Sequence, residues 1–408
     1  MATVGLIGTL DTKGDEYAFV QRAIEGLGSK TIVVDVGILP GPSRNPDIVA
    51  DRVAVAGGTD IETLRSANDR GAAMEAMARG AVKIVRELHS ADQLDAVMAL
   101  GGSGGTSVAT AAMRALPIGF PKLMVSTVAA GDVASYVGTS DIIMLYPVVD
   151  IAGLNTIAKR IYWNAAVAIS AMAKSSEKSG PIKTVRPVVA VTMFGVTTPA
   201  VSVARSWLES VGYEVLVFHA NGAGGRAMEM LVRDGVINGV LDLTTTELAD
   251  ELVGGKLSAG PTRLEIAGTL GLPQVVSLGA LDMVNFGPAE TVPKKFRKRR
   301  LYCHNPDVTL MRTSPGECAK LGAIMARKLN RAKGPLTVFM PTLGTSSISK
   351  KGQVFHDAQA DSALVSTLLQ KLNPAISRIV SDVDINDRGF ALAMAQELDI
   401  HMKKDVSR

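Results

Sequence analysis

A largely apolar run, Leu94 to Leu100, passes directly into Gly101-Gly-Ser-Gly-Gly-Thr-Ser107, and an alanine-rich helical pattern follows. Strand, glycine turn and helix start in that order make a βα unit. The helix start offers unpaired backbone N–H groups and the positive end of a dipole, a ready place for a phosphate. The loop is not a Walker A sequence, because G-x-x-x-x-G-K-[ST] is absent. A glycine loop also has a plainer use, close packing of a strand against the next helix, and both uses stay open at this point.

The chain opens on a strand pattern, residues 3–8, leading to Gly8-Thr-Leu-Asp-Thr-Lys-Gly14 read as a loop. A helix is expected over about 15–27 with Gly28 closing it, then a strand over 31–36. Asp35, near that strand's end, fits either an acid against a ribose or a strand-end acid in solvent. Residues 38–60, rich in Pro and Gly, read as an irregular excursion before a helix over 68–89. Further strands are expected over 122–127 and 142–146. A long helix follows from Asp150, its expected N-cap, to Lys174, with linker composition over 174–187.

After the linker the pattern begins again. A strand over 188–194, a loop, a helix over 201–211 closed by Gly212 and a strand over 214–218 repeat the spacing of residues 3–36. The run from Gly239 to Glu247 stands where Val97 to Gly105 stood, with threonines and acids in place of glycines. The expectation is an α/β protein of two Rossmann-like, doubly wound parallel-sheet domains of related layout, residues 1–178 and 179–408. A length of 408 residues suits two cores better than one.

Composition narrows the function. No apolar run reaches membrane-spanning length, and the start shows no basic-then-apolar leader, so the expectation is a cytoplasmic protein with no membrane partner. Cys303 and Cys318 suggest neither a disulfide framework nor a zinc site, and no metal is assigned. Lys294, Lys295, Arg297, Lys298, Arg299 and Arg300 dominate the net charge of +4, which would be −2 without them. That local cluster, with aromatics at only 4%, argues against nucleic acid as a partner.

Ligands of open α/β sheets bind beyond the carboxyl ends of the strands. Three segments of the first half fall there, giving as nucleotide-binding candidates Thr9, Leu10, Asp11, Thr12, Lys13, Asp35, Gly101, Gly102, Ser103, Gly104, Gly105, Thr106, Ser126, Thr127, Gly131 and Asp132. Amides, hydroxyls and the Lys13 ammonium are complementary to phosphate oxygens. The same motifs, with Val125-Ser-Thr-Val-Ala-Ala-Gly131, Gly138-Thr-Ser-Asp141, the run from Phe218 to Glu229, Asp242 to Glu247 and Gly279 to Asn285, resemble the Tm-one-like ATP-binding family, named after a plant virus-resistance protein. The resemblance covers essentially the whole chain. It implies an ATP-binding first domain with or without Mg2+, a second α/β domain for a substrate or partner, and a homodimer. It implies no particular reaction.

The second half holds His219, His304 and His356, with Asp357 beside the last, as candidates for acid/base chemistry on a small acidic substrate in an interdomain cleft. A scattered histidine is equally a hydrogen-bonded structural residue, which is the reading for His89 and His401. Gly224, Gly225, Arg226, Thr245, Thr246 and Glu247 form a candidate second anion site, with tight turns as the alternative. Two functions compete: a nucleotide-using enzyme, and a non-catalytic module whose bound nucleotide gates a protein partner.

Overall fold

The computed structural model describes residues 1–40, 45–179 and 185–406, with no account of the side chains at 176–179 and 405–406. Residues 41–44 of the expected excursion and 180–184 of the expected linker lie outside the described residues. The chain divides into two compact units, Met1–Lys183 and Thr184–Arg408. No described helix is long and apolar enough to cross a membrane.

The first unit runs β1 (Thr3–Gly8), α1 (Leu10–Gly26), β2 (Lys30–Asp35), α2 (Ala50–Ala56), α3 (Ile61–Ala67), α4 (Arg70–Ser90), β3 (Ala96–Gly101), α5 (Ser103–Arg114), β4 (Lys122–Ser126), α6 (Ala134–Val137), β5 (Ile143–Leu145) and α7 (Thr156–Ser179). Its five strands are all parallel, in the order β2-β1-β3-β4-β5. Successive residues point to opposite faces. Val97 and Ala99 therefore join the core under α2, α4 and α5, while Met98 and Leu100 join the one under α1 and α7. Burial on both faces explains why these strands read as unbroken apolar runs.

The order reverses between β1 and β3, and Tyr17 of α1 fills the gap there. Its hydroxyl lies 2.5 Å from the Ile7 carbonyl and 2.8 Å from that of Leu100, and accepts the Leu100 N–H at 2.8 Å. Gly8 makes room for it, since a Cβ there would lie 1.9 Å from the ring. Burial holds the Tyr17 phenol well above its ordinary pKa, so the hydroxyl keeps its proton.

Several boundaries differ from expectation. The segment Asp11 to Lys13 is not a loop but the first turn of α1, interrupted at Lys13 (φ −131°, ψ 26°). The start is fixed by the Asp35 carboxylate, which accepts the Leu10 N–H. The excursion contains α2 and is followed by α3. The long helix begins at Thr156, because Asn155 Oδ1 accepts the Ala158 N–H, whereas Asp150 Oδ1 accepts the N–H of its neighbour Ile151. It also continues to Ser179, into the expected linker.

The second unit runs β6 (Val188–Met193), α8 (Thr198–Ser210), β7 (Glu214–His219), α9 (Ala223–Arg233), β8 (Gly239–Thr244), α10 (Glu247–Val253), α11 (Ile266–Leu270), β9 (Gln274–Gly279), β10 (Met283–Phe286), β11 (Leu301–Asn305), β12 (Val308–Arg312), α12 (Pro315–Leu329), β13 (Leu336–Pro341), α13 (Ala358–Lys371), β14 (Ser377–Ser381) and α14 (Arg388–Val406). Its main sheet, β14-β13-β9-β8-β6-β7, is parallel throughout. Read from β7, it repeats the first unit's order and adds a sixth strand. Gly28 (φ +80°) and Gly212 (φ +104°) close the matching helices α1 and α8 in the left-handed region. An antiparallel sheet β10-β12-β11, which carries the basic cluster on its β10–β11 connection, also has no counterpart in the sequence reading.

Candidate functional site

The first unit holds a cleft of about 690 Å³ beyond the carboxyl ends of β1 and β3, where the strand order reverses. Thr9, Asp11, Thr12 and Lys13 form one wall and Gly102, Ser103, Gly104 and Gly105 another. Gly102 is the N-cap residue of α5 (ψ −165°) and provides no side-chain cap. The first helical bond runs from Thr106 N–H to the Gly102 carbonyl, so the amides of Ser103, Gly104 and Gly105 are the helix's unpaired donors.

The glycines here do not serve a left-handed backbone, for none of the four has a positive φ. Gly101 serves packing, since a Cβ would sit 3.0 Å from Gly105 Cα. At Gly104 a Cβ would meet Met74 Cε at 3.3 Å and Arg70 Nη2 at 3.4 Å. The start of α4 therefore leans over the start of α5. The loop packs closely at Gly101 and leaves open amides beyond it.

Arg70 is the residue the sequence reading missed. It is exposed, and its guanidinium makes no hydrogen bond or ion pair among the described residues. The other cations of the cleft are engaged. Lys13 Nζ donates to the Ile151 carbonyl at 2.5 Å, and Arg65 donates to the Ile38 carbonyl and pairs with Glu62. Arg65, Asn68, Arg70 and Met74 reach the cleft from α3, α4 and their junction, where Asn68 (φ +47°) closes one helix and Asp69 caps the next. The pair Asn-Asp between two helical patterns was the available signal. Val36, Ile38, Leu39, Pro40 and Leu64 make the remaining wall apolar, and Leu39 is 56% exposed.

The other expected nucleotide-site residues lie outside the cleft lining. Leu10 is buried in the core. Asp35 is buried too, and its Oδ1 accepts the N–H groups of Leu10 and Gly37, so it builds the turn after β2. Burial raises its pKa, against the lowering effect of those two bonds. Thr106 and Ser126 are buried and bond each other at 2.6 Å, tying α5 to β4. Thr127 and Gly131 fall on the short turn after β4, and Asp132 Oδ1 accepts the Ala134 N–H.

The matching position in the second unit is closed from within. Thr192 Oγ1 accepts the Thr244 N–H and donates to Asp242, and Thr197 and Thr244 share a 2.8 Å hydroxyl contact. The candidate second anion site is occupied by the protein's own carboxylate. Glu247 Oε1 accepts the N–H groups of Gly222 and Gly225, where a Cβ on Gly225 would lie 2.3 Å from Glu247 Oε2. Arg263, fully buried, donates to Glu247 at 2.7 Å and to both oxygens of Asp242 at 2.5 and 2.6 Å, with Glu229 at 3.8 Å. Burial alone would lower the Arg263 pKa, but Asp242 and Glu247 hold it well above the ordinary value. Gly224 packs on the His219 carbonyl, and Thr245 donates to that of Ser277. Thr246 is buried, and Arg226 points away to the Ser258 carbonyl.

The expected acid/base residues sit on separate elements. His219 ends β7 edge-on to Phe194 at 5.2 Å, His304 lies exposed on β11, and His356 precedes α13. Among the described residues no hydrogen bond links any two of them, and Asp357 is the N-cap of α13, accepting the Ala360 N–H. His401 is buried against Thr337, and His89 packs edge-on to Phe120. No group of three potential metal ligands occurs among the described residues.

A family profile described as "Uncharacterised protein family (UPF0261) N-terminal domain" matches residues 2–178, and its C-terminal counterpart matches 186–402. Among relatives, a UPF0261 protein of Clostridium tetani is 52% identical over 400 residues, 98% of each chain. The ToMV resistance protein Tm-1(GCR237) of Solanum lycopersicum is 41% identical over 95% of this chain and 54% of its own length. Among solved structures, UDP-GlcNAc 2-epimerase from Neisseria meningitidis is 12% identical over 68% of this chain and 82% of its own, with a TM-score of 0.23, too slight a likeness to carry an argument.

Proposed function

We propose, for a chain that belongs to the uncharacterised protein family UPF0261, that the first unit binds a nucleotide, ATP, by its phosphates. The observation that carries this reading is the uncapped N-terminus of α5 opening into the cleft beside the unengaged guanidinium of Arg70. Open amides, a helix dipole and a free cation make an anion site. The apolar wall from Val36 to Pro40 suits a flat base at the far end. Asp11 and Asp150 line the same cleft, and with the phosphates they fit a Mg2+ ion that keeps most of its waters. The test is a thermal-shift panel of ATP, ADP, GTP and NAD with and without Mg2+. A ligand at a hundred times its Kd stabilises by about 2.7 kcal/mol, and no shift with any of the four removes the proposal.

The second unit serves either a small acidic substrate or a protein partner. Its histidines are dispersed and Asp357 is engaged as a helix cap, which favours the non-catalytic reading, a nucleotide-gated module for a protein partner. The resistance named in the tomato relative's description accords with it. Steady ATP hydrolysis by the pure protein would reverse that preference. The same reading takes the protein to act in the cytoplasm as a homodimer, and a monomer in sedimentation velocity ends that part of it.

A further inference from the structure

The small antiparallel sheet of the second unit has a free edge. β12 lies between β10 and β11, and β11 pairs with no other strand among the described residues. Its register fixes which main-chain groups face outward. Arg312 N–H donates to the Arg300 carbonyl at 2.9 Å, so Arg300 and Arg312 are a hydrogen-bonded pair. With Leu301 opposite Met311 and Tyr302 opposite Leu310, the bonded pairs alternate, and the amide and carbonyl of Leu301 and of Cys303 point away from β12. Neither residue makes a backbone hydrogen bond outside the ladder among the described residues. Tyr302, Cys303, His304 and Asn305 are all exposed.

The chain leading into this edge is basic. No acid occurs between Lys294 and Asn305. Of the six cations, Arg299 is neutralised by a two-pronged contact with Glu317. Lys294, Lys295, Arg297, Lys298 and Arg300 are exposed and form no ion pair among the described residues. Edge strands are commonly blunted by charge and bulges, and β11 has a bulge between Cys303 and Asn305. Charge of one sign repels a second copy of the same edge. It does the opposite for an edge of the other sign.

We propose that β11 is a docking edge for an acidic, extended peptide segment of a partner protein, which adds as a fourth strand to β10-β12-β11. Main-chain bonds to Leu301 and Cys303 would give the register, and the basic connection would select acidic side chains. Tyr302 and His304 share the face on which alternate partner side chains would lie. A peptide fits better than a nucleic acid, because the free groups are the amides and carbonyls of a strand edge.

The test uses the full chain and a fluorescein-labelled, blocked octapeptide, (Glu-Val)4, followed by anisotropy. Binding is expected to weaken at least tenfold for (Lys-Val)4, for (Glu-Val)4 N-methylated at alternate residues on one edge, and for the Lys294→Glu/Lys298→Glu protein. The N-methylated peptide leaves the protein untouched, so a misfolded variant cannot mimic the result. No binding of (Glu-Val)4, equal binding of the N-methylated peptide, or tighter binding of an eight-nucleotide single-stranded RNA would each overturn the proposal.

Discussion

Tyr17 offers the sharpest test of how the fold makes the cleft. Tyr17→Phe deletes one oxygen from the point where β1 and β3 part, and leaves the Leu100 N–H, 2% exposed as a residue, without its acceptor. A buried donor so stranded costs about 1–3 kcal/mol. The Ile7 and Leu100 carbonyls add little, since an under-satisfied carbonyl is better tolerated than an orphaned amide. The expected loss is therefore about 2 kcal/mol, or roughly 1 M in urea midpoint at a slope near 2 kcal/mol/M. Tyr162 supplies the control, because its hydroxyl is buried with no hydrogen-bond partner among the described residues, and burial raises its pKa to about 12. Tyr162→Phe removes the same atom and should be neutral or stabilising. The chain's two tryptophans, Trp163 and Trp207, fall one in each unit. In a Trp207→Phe background, Trp163 emission follows the first unit alone. Equal urea midpoints for Tyr17→Phe and Tyr162→Phe would refute the reasoning.

Arg263→Met leaves Asp242, Glu247 and Glu229 buried without their cation. The second unit should lose about 3–5 kcal/mol by Trp207 emission, and a loss under 1 kcal/mol would mean the carboxylates are not charged together. Asp250 is raised to about 7 from 3.8, chiefly by burial, despite bonds from Asn285 and Leu257. The folded state thus holds a proton the unfolded chain has released. The stability from that proton is full below about pH 4 and is lost as pH rises through 7, on the order of 4 kcal/mol in all. Wild type minus Asp250→Asn should fall across that window, and parallel profiles would contradict the assignment. Gly101→Ala pushes a Cβ to 3.0 Å from Gly105 Cα. It should cost about 1–3 kcal/mol and shrink the nucleotide-induced thermal shift, while an undiminished shift would show that the α5 start need not sit so close to β3.

The layered fold was legible because parallel strands buried on both faces read as apolar runs, and because Gly28 and Gly212 mark the same helix end in each half. The cleft was half legible. Thr9, Asp11 to Lys13 and Gly102 to Gly105 announce themselves by position after a strand. Asp35, Thr106 and Ser126 looked equally suitable, and nothing local distinguishes a hydroxyl facing a ligand from one tying α5 to β4. Arg70 was missed for a tertiary reason: only the packing of the start of α4 over the start of α5 brings its guanidinium beside Gly104. Glu247 shows the reverse, a threonine-and-acid twin of the glycine loop whose carboxylate fills the place an outside anion would take. The antiparallel sheet was missed although Asn305-Pro-Asp307 between two short runs is a turn signal.

The central claim is that Arg70 and the start of α5 hold the phosphates of ATP. Titration calorimetry of ATP into wild type, Arg70→Ala and Arg79→Ala tests it most directly, because Arg79 lies on the same helix and pairs with Glu75. One saturable site should appear in wild type and in Arg79→Ala. Loss of one charge-assisted contact, about 1.5–3 kcal/mol, should weaken Arg70→Ala by roughly ten- to hundredfold. Absence of binding in wild type, or equal affinity in all three proteins, would contradict the account.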